Sequence, residues 1–377
     1  MPWADARESR RVSRGGGSIA CSPAPTVVPF ADEGYAKNRI ALRLPVDRLH
    51  KITKQVGLHP AMHDAAKLLE DGRLAVVQGV GYPNPSRSHD ISMAIWQSGN
   101  VKLPRNDGYN PEIRAALGWI GRALDEDRKP ADGSPGAAFV GSGALPAALR
   151  GRRSVASAMT RPEDSVLALP GAAKVSPGSP RGEDLAAFVR RNTLDAYATS
   201  DRMVAILRAE DKAARYPATG LAGRLRVIAR LIKGVGGTRV YYTSQSSYDT
   251  HATQLVPHAN LLSELSGALK AFLDDLAAAK LAERVLVLCF SEFRRRVREN
   301  GSAGTDHGTA GPLFLAGPGV KAGLLSEAPK LLDLQDGDLK TTADFRHVYA
   351  GVLEDWLSLP SKPALGETFK PLNLFRG

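Results

Sequence analysis

The sequence predicts an α/β protein, a three-layer α/β/α sandwich around a mainly parallel sheet. Four short apolar runs have the length and composition of buried strands, at residues 74–80, 238–243, 285–290 and 313–316. Between two of them, residues 261–276 carry leucine and phenylalanine at helical spacing, which predicts a β-α-β unit. Strands that alternate with helices are typical of a sheet covered by helices on both faces.

The composition is that of a globular protein with a strong positive charge. The chain has 377 residues, 43% of them hydrophobic, and a formal net charge of +11, which allows one large domain or two ordinary ones. Such a charge suits a nucleic acid, an anionic surface or an anionic substrate. The excess lies in arginine-rich loops without interleaved aromatic residues, and the sequence contains no nucleic-acid motif, so nucleic acid is the weakest of the three.

The cysteines and the hydropathy exclude further classes of protein. Cys289 lies within an apolar run and Cys21 in a segment rich in Gly, Ser and Pro, so neither a disulfide framework nor a CxxC site is predicted. No stretch of the sequence is long and apolar enough to cross a membrane. Nothing in the sequence indicates an oligomeric state.

Residues 1–25 are predicted to be a disordered basic leader. They are rich in Arg, Gly, Ser and Pro and have no apolar periodicity. Ser9-Arg10-Arg11-Val12-Ser13 resembles a twin-arginine export signal, but Gly15-Gly16-Gly17-Ser18 stands where the apolar segment of such a signal belongs. Without an intact signal, the chain as written is expected to be cytoplasmic.

A single domain is predicted over residues 26–377. Its first elements are two extended pieces and a helix, at residues 26–30, 42–48 and 59–70. The strand at 74–80 then runs into a loop rich in Pro and Gly, and Ser88 is suited to cap the helix that follows. A loop between a strand and a helix N-terminus favours bound anions.

The middle of the domain is predicted to contain an irregular insertion. Residues 141–183 are rich in Gly, Pro, Ser, Ala and Arg and contain one short extended piece, at 166–169. A stretch of this length usually covers a site. The elements around it are a helix, a strand, two amphipathic helices and a closing helix, at residues 118–124, 137–140, 184–210, 221–233 and 342–357.

Carboxylate and imidazole side chains lie where predicted strands end or in glycine-rich loops. They are Asp249, His251, Glu292, Asp306 and His307. Open α/β sheets bind their ligands at the carboxyl ends of the strands, so these side chains are expected to converge. Together they have the ligand chemistry of a Zn, Mn or Ca site, or of a pair of metals.

Some of these residues have a structural alternative. Asp249 can cap a turn, and Asp306 can be an ordinary turn residue. Glu292 can be the surface partner of Arg295 or Arg296. Their shared place at strand ends favours metal ligation.

Four stretches together resemble the bacterial domain-of-unknown-function family 1501, at residues 75–85, 248–251, 291–293 and 304–308. The resemblance extends from about Thr26 to the C-terminus. It implies a fold like that of alkaline phosphatases and sulfatases, and many members of the family are exported by the twin-arginine route. The family's biochemistry is largely uncharacterised, so the resemblance implies a fold and a site more firmly than a substrate.

The sequence departs from the family pattern at two places. Members usually carry Gly-Gly-Asn-Asp-Gly at the end of a first strand, and the Asp is an expected metal ligand, whereas here Cys21-Ser22-Pro23-Ala24-Pro25 precedes Thr26. The first strand and one ligand are therefore expected to be lost, through a truncated or misassigned start. The second departure is Arg294, where members usually have Gly, which places a long cation beside the site or rearranges the loop.

The resemblance also implies a nucleophile and groups that bind substrate. Related hydrolases use a Ser, Thr or modified Cys at a helix N-terminus, and Ser88 or Ser86 is the candidate here. An ordinary N-cap at Ser88, with His89 as a loop histidine, is the alternative. Arg87 and Arg295 are candidates for holding substrate oxygens, although a lone Arg87 can equally be solvated.

Residues 85–87 resemble the tail of the sulfatase signature Cys-x-Pro-Ser-Arg. Pro83 occupies the position of the signature's Cys, so no formylglycine can form there.

The leading hypothesis is a metal-dependent hydrolase of phosphate or sulfate esters, which acts on a small anionic substrate with a divalent metal. The rival is a degenerate member that keeps the fold and binds a polyanion or a protein partner. The missing Asp and Arg294 support this rival. A nucleic-acid-binding protein is a third hypothesis that rests on charge alone.

Overall fold

The computed structural model describes residues 15–20, 26–105, 110–127, 133–159, 205–207, 215–234, 236–292 and 294–377. The strands in this part of the chain are β1 (Gly15–Ala20), β2 (Val27–Val28), β3 (His50–Lys51), β4 (Gly57–Leu58), β5 (Leu74–Gly81), β6 (Ala137–Val140), β7 (Ala156–Met159), β8 (Val240–Ser244), β9 (Val285–Phe290), β10 (Arg294–Arg295), β11 (His307–Gly308), β12 (Gly311–Ala316), β13 (Gly323–Leu325), β14 (Leu334–Gln335), β15 (Asp338–Leu339) and β16 (Ala343–Asp344).

The helices of the described residues are α1 (Glu33–Asn38), α2 (His63–Glu70), α3 (His89–Ser98), α4 (Pro111–Ala115), α5 (Trp119–Asp125), α6 (Gly220–Gly234), α7 (Leu255–Ala278), α8 (Phe345–Gly351) and α9 (Ser361–Leu365). Single turns of 3₁₀ helix lie at Val46–Arg48, Ala147–Leu149 and Ala282–Arg284, and a π-helical turn at Val352–Trp356 continues α8. No helix among the described residues has the length and apolar content that a membrane crossing requires.

The main sheet has the strand order β13-β5-β12-β9-β1-β8-β6-β7, with β16 paired to β5. Every pairing in it is parallel except those of β12, which is antiparallel to both β5 and β9. The sheet is therefore mainly parallel, as predicted. Smaller sheets are formed by β2-β4-β3, by β10-β11 and by β14-β15.

The side chains of the main sheet alternate between two apolar cores. On β9, Leu286 and Leu288 belong to one core, and Val285 and Val287 to the other. The first core includes buried residues of α3, α5 and α8, and the second includes those of α2, α6 and α7. Helices thus cover both faces of the sheet, and the predicted three-layer α/β/α sandwich is confirmed.

Strand β1 shows that the expectation of a disordered leader is wrong at Gly15–Ala20. This strand lies in the middle of the sheet, parallel to β8 and β9, with Ala20 opposite both Ser244 and Phe290. The first strand is therefore not lost. The pattern of apolar residues missed it because three of its six residues are glycine, which lowers the strand propensity, whereas two apolar neighbours supply ladder hydrogen bonds on both sides. Residues 1–14 and 21–25 lie outside the described residues.

The predicted insertion at 141–183 is also partly wrong. Ala156–Met159 forms β7, which pairs in parallel with β6 and belongs to the main sheet. The extended piece expected at 166–169 and most of the helix expected at 184–210 lie outside the described residues. The apolar runs elsewhere were located correctly, since β5 and β9 are buried at every position.

Candidate metal centre

The carboxyl edge of the main sheet gathers the loops that carry the candidate site. β5, β8 and β9 all end at this edge. β12 begins there, because it is antiparallel and its Gly311 pairs with Val80 near the end of β5. The segments that follow β5, β8 and β9 and the segment that precedes β12 therefore meet at this edge, as expected for an open α/β sheet.

Six side chains from these segments form one connected group, which we call the edge cluster. Its members are His89, Asp249, His251, Glu292, Asp306 and His307. The ligand atoms of His89, Asp249 and His307 lie within 4.8 Å of one another. The structure thus brings together all five residues that the sequence singled out as ligands and adds His89, which is the first residue of α3.

Asp249 lies at the centre of the edge cluster. Its Oδ1 atom is 2.9 Å from Nε2 of His307 and 2.9 Å from Nε2 of His251. Its Oδ2 atom is 3.3 Å from Nε2 of His89. Three imidazole nitrogens therefore surround one carboxylate.

The two outer carboxylates contact the remaining ring nitrogens. Oε1 of Glu292 is 3.2 Å from Nδ1 of His89, and Oδ1 of Asp306 is 3.2 Å from Nδ1 of His251. Each ring thus lies between Asp249 and an outer carboxylate, and because a carboxylate only accepts hydrogen bonds, a neutral ring can donate to only one of the two. A cation held between Nε2 and Asp249 would leave Nδ1 to donate to the outer carboxylate, which is the arrangement of partners behind metal-binding histidines.

His307 is oriented in the same way by a backbone carbonyl. Its Nδ1 atom lies 2.9 Å from the carbonyl oxygen of Arg87, which can only accept, so Nδ1 carries the proton. Nε2 of His307 faces Oδ1 of Asp249 at 2.9 Å and Nε2 of His251 at 3.0 Å. Three electron-rich atoms repel one another unless a proton or a cation lies among them. This donor set, imidazoles with a carboxylate, fits a divalent metal.

The loop that contains Gly304 packs closely against the backbone of His251. A Cβ atom at Gly304 would lie 2.1 Å from the carbonyl oxygen of His251, so only glycine fits there. The side chain of Asn300 donates to that carbonyl at 2.9 Å and to Oδ1 of Asp306 at 3.1 Å. Asn300 therefore couples the two loops that carry His251 and Asp306.

The central carboxylate is held in its charged form. Burial disfavours the charge of Asp249, but contacts with His307 and with the guanidinium of Arg295 outweigh burial and hold its pKa well below the usual range. The pKa of Asp306 is also lowered, chiefly by the hydrogen bond from Asn300. Both groups are therefore carboxylates at neutral pH, the form that binds cations.

One face of the edge cluster is open. The side chains of Asp249 and His89 are 45% and 47% exposed, whereas that of His307 is 16% exposed. A structural metal site is closed by protein ligands, and a catalytic one keeps a position open for water or substrate. The exposed side chains of Asp249 and His89 leave such an open position.

Arg295, predicted to hold substrate, is engaged within the protein. Its side chain is buried and donates to Oδ1 of Asp249 at 2.8 Å and to the carbonyl oxygens of Tyr248 at 2.7 Å and Thr305 at 2.8 Å. These bonds place Arg295 behind Asp249. Its direct contact in the edge cluster is with Asp249.

Arg87 and Ser88 lie next to His89 in the chain. The guanidinium of Arg87 pairs with the buried carboxylate of Asp338, although its side chain is 48% exposed. Ser88 has the extended backbone of an N-cap but makes no capping hydrogen bond through its side chain. Their proposed roles in substrate binding and nucleophilic attack stay predictions.

Arg294, which departs from the family pattern, points into the protein. Its side chain is buried, its guanidinium carbon lies 5.2 Å from the centre of the Trp96 ring, and its NH1 group donates to the carbonyl oxygen of Ser291 at 3.1 Å. This is the geometry of a cation–π contact.

His89 is the site residue that the sequence analysis missed. It was weighed only as a loop histidine, yet it contacts both Asp249 and Glu292. The available signal was its position, because it begins a helix in the segment after β5, at the same edge as the other ligands. A single histidine without a partner nearby in sequence gave no further signal.

A protein-family model matches much of the chain. It is described as "Protein of unknown function (DUF1501)" and covers residues 3–332. The match begins before β1, so the expectation that the resemblance starts at about Thr26 was too narrow. No curated protein matches the sequence.

Solved structures of hydrolases resemble the chain weakly. The PsFucS1 sulfatase from Pseudoalteromonas sp. is 11% identical, with a TM-score of 0.41 and coverage of 98% of this chain and 75% of that one. A phosphonate monoester hydrolase from Silicibacter pomeroyi is 8% identical, with a TM-score of 0.41 and coverage of 94% and 77%. An alkaline phosphatase superfamily protein from Vibrio parahaemolyticus is 10% identical, with a TM-score of 0.42 and coverage of 94% and 69%.

Proposed function

This chain belongs to the DUF1501 family, and we propose that it is a metal-dependent hydrolase of phosphate or sulfate esters. The observation that supports the proposal is the edge cluster, in which Nε2 of His251 and Nε2 of His307 each lie 2.9 Å from Oδ1 of Asp249. Such a cluster is costly without a cation or a proton to link its members. Its open face provides room for a substrate.

Asp249, His307 and His89 or His251 would hold a divalent metal, for which Zn, Mn and Ca are the candidates. When bound, the metal supplies a Lewis acid that polarises the ester oxygens. Glu292 and Asp306 keep the rings of His89 and His251 oriented. Arg295 holds Asp249 in place and charged. The net charge of +11 favours the approach of an anionic ester.

The attacking group would be Ser88 or a water molecule. Ser88 is half-buried at the N-terminus of α3, directly before His89, and its hydroxyl makes no capping bond to the helix. Backbone N–H groups at a helix N-terminus stabilise negative charge that develops nearby. The Ser88→Ala variant distinguishes the two possibilities, because its turnover survives only when water is the attacking group.

The test is turnover of nitrophenyl phosphate and nitrophenyl sulfate by chelator-treated protein to which Zn, Mn or Ca is returned. We expect weak, metal-dependent turnover, because residues 21–25 bring no carboxylate and at most one metal should bind well. His251→Ala and Glu292→Ala should each lower it by about 10-fold or more. Strong turnover that survives both substitutions would rule out the assigned site.

A degenerate member that binds a polyanion is the second candidate. The sequence of residues 21–25 favours it, since the Asp that family members usually carry is missing. The metal content of the purified protein separates the two candidates. Stoichiometric metal supports the hydrolase, and metal-free protein that binds a polyanion tightly supports the binder.

A further inference from the structure

A second concave site lies beside the edge cluster, and it has the opposite charge. It is a cavity of about 130 Å³, which we call the arginine cavity. Its walls come from β2, from the end of β5, from β10, from the start of β12 and from the segment around residue 330. Three of its lining residues are Arg39, Arg294 and Arg295.

The three arginines are buried, with Arg39 7%, Arg294 1% and Arg295 6% exposed. None of the described residues that line the cavity is Asp or Glu. The nearest negative partner that Arg295 has is Asp249, which belongs to the edge cluster. The cavity itself therefore concentrates positive charge away from water.

Among the described residues, NH1 of Arg39 and Nε of Arg295 have no hydrogen-bond partner. Arg39 donates through Nε to the carbonyl oxygen of Val297 at 2.8 Å and through NH2 to that of Arg296 at 2.7 Å, which leaves NH1 without a partner. Arg295 uses both terminal nitrogens and leaves Nε without one. A buried donor on a charged group is costly to leave unsatisfied. Both atoms are inaccessible to water, so an anion in the cavity would stabilise the two guanidinium groups through its charge.

Arg39 remains a cation in this setting. Burial lowers its pKa to about 10, with smaller opposing contributions from Tyr35 and Glu299. The group is therefore still protonated at neutral pH, and the cavity keeps its positive charge when it is empty.

The remaining wall is mostly apolar, with side chains that include Val27, Val56, Val297, Leu331 and Leu339. A cavity of about 150 Å³ lined by apolar side chains holds a benzene molecule, which is close to the size found here. An inorganic anion would satisfy the arginines but would leave the apolar wall without contacts. A ligand that fits both parts carries one negative group on a small apolar body.

We propose that the arginine cavity binds a small apolar carboxylate, about the size of benzoate, with its carboxylate on Arg39 and Arg295. Ala328 lines the cavity and is exposed, so the ligand can enter from solvent at this residue. The site differs from the proposed metal centre, although Arg295 contributes to both. The proposal does not depend on hydrolase activity.

Calorimetric titration of the full chain with benzoate, benzamide, inorganic phosphate and inorganic sulfate tests the proposal. Benzamide has nearly the same shape as benzoate and no charge. Benzoate should bind about tenfold or more tightly than benzamide, because only benzoate brings a negative charge to the buried guanidinium groups. Phosphate and sulfate should bind more weakly than benzoate.

A blocking variant locates the binding. Ala328→Trp places a large side chain at the mouth of the cavity, and Ala278→Trp makes the same change at an exposed residue of α7 outside the cavity. Ala328→Trp should weaken benzoate binding by about tenfold or more, and Ala278→Trp should leave it unchanged. Equal binding of benzoate and benzamide, tighter binding of phosphate or sulfate, absence of benzoate binding, or equal effects of both variants would each overturn the proposal.

Discussion

The edge cluster and the arginine cavity are neighbours that suit ligands of opposite charge. The cluster sets three carboxylates and three imidazoles around an open face, and Asp249 at its centre is 45% exposed. The cavity is lined by arginines that are at most 7% exposed. Arg295 belongs to both, because it donates to Asp249 and also lines the cavity.

Exposure to water decides which of these charges need a ligand. Charges at the open face exchange their contacts with water at little cost. Those in the cavity cannot, so their unsatisfied nitrogens are the stronger indication of a missing partner. One buried arginine can serve both regions because its guanidinium has several donors in a fixed plane.

The largest expected effect is the loss of a central ligand. His307→Ala should weaken Zn binding by more than about 100-fold, since removal of a partner behind a ligand already costs about 10- to 100-fold. Isothermal titration with Zn measures the change. His63→Ala, at an exposed histidine outside the edge cluster, is the matched control. Similar losses in both variants would show that His307 is not a ligand.

The next effect concerns the residue that both regions share. Arg295→Met removes the donors to Tyr248, Thr305 and Asp249. It should lower the free energy of unfolding by about 2 kcal/mol or more. It should also weaken both metal and benzoate binding. Urea denaturation measures the stability.

The control for this experiment is Arg298→Met, an exposed arginine in the same segment. An equal loss of stability in the two variants would mean that the hydrogen bonds of Arg295 do not contribute to the free energy of unfolding.

A smaller effect is expected when an orienting carboxylate is neutralised. Glu292→Gln keeps the shape of the side chain beside His89 but removes its charge. Metal affinity should fall by about tenfold, whereas benzoate binding to the arginine cavity should not change. Glu283→Gln, at an exposed residue, serves as the reference. A parallel fall in benzoate affinity would show that the two regions are not separable at Glu292.

The smallest effect is on the pH dependence of metal-free protein. The pKa of Asp249 is lowered by folding, so its contribution to stability is fully present above the ordinary Asp value of about 3.9 and is lost as the pH falls through the lowered pKa. Asp249→Asn should therefore flatten the decline of the free energy of unfolding below about pH 4. Unfolding curves at several pH values test this, with Asp47→Asn as the exposed control. An unchanged slope in Asp249→Asn would contradict the expectation.

The layers of the fold and most members of the edge cluster could be predicted from the sequence alone. Apolar runs located β5, β9 and β12, because strands buried on both faces need apolar residues at every position. Asp249, His251, Glu292, Asp306 and His307 could be chosen because residues at strand ends converge at one edge of a parallel sheet. Their roles as ligands stay predictions.

Three features became visible only in the folded chain: the position of β1, the membership of His89 in the edge cluster and the burial of Arg295. Three glycines in β1 leave no local pattern, since the partners that stabilise this strand lie more than 200 residues away at β8 and β9. His89 and Glu292 are 203 residues apart in sequence but 3.2 Å apart in space. The sequence predicted that Arg295 holds substrate. Its burial depends on contacts between loops, and the sequence does not show which loops come together. Such long-range contacts produce no periodic pattern in the sequence, so they cannot be predicted from a single sequence by physical reasoning.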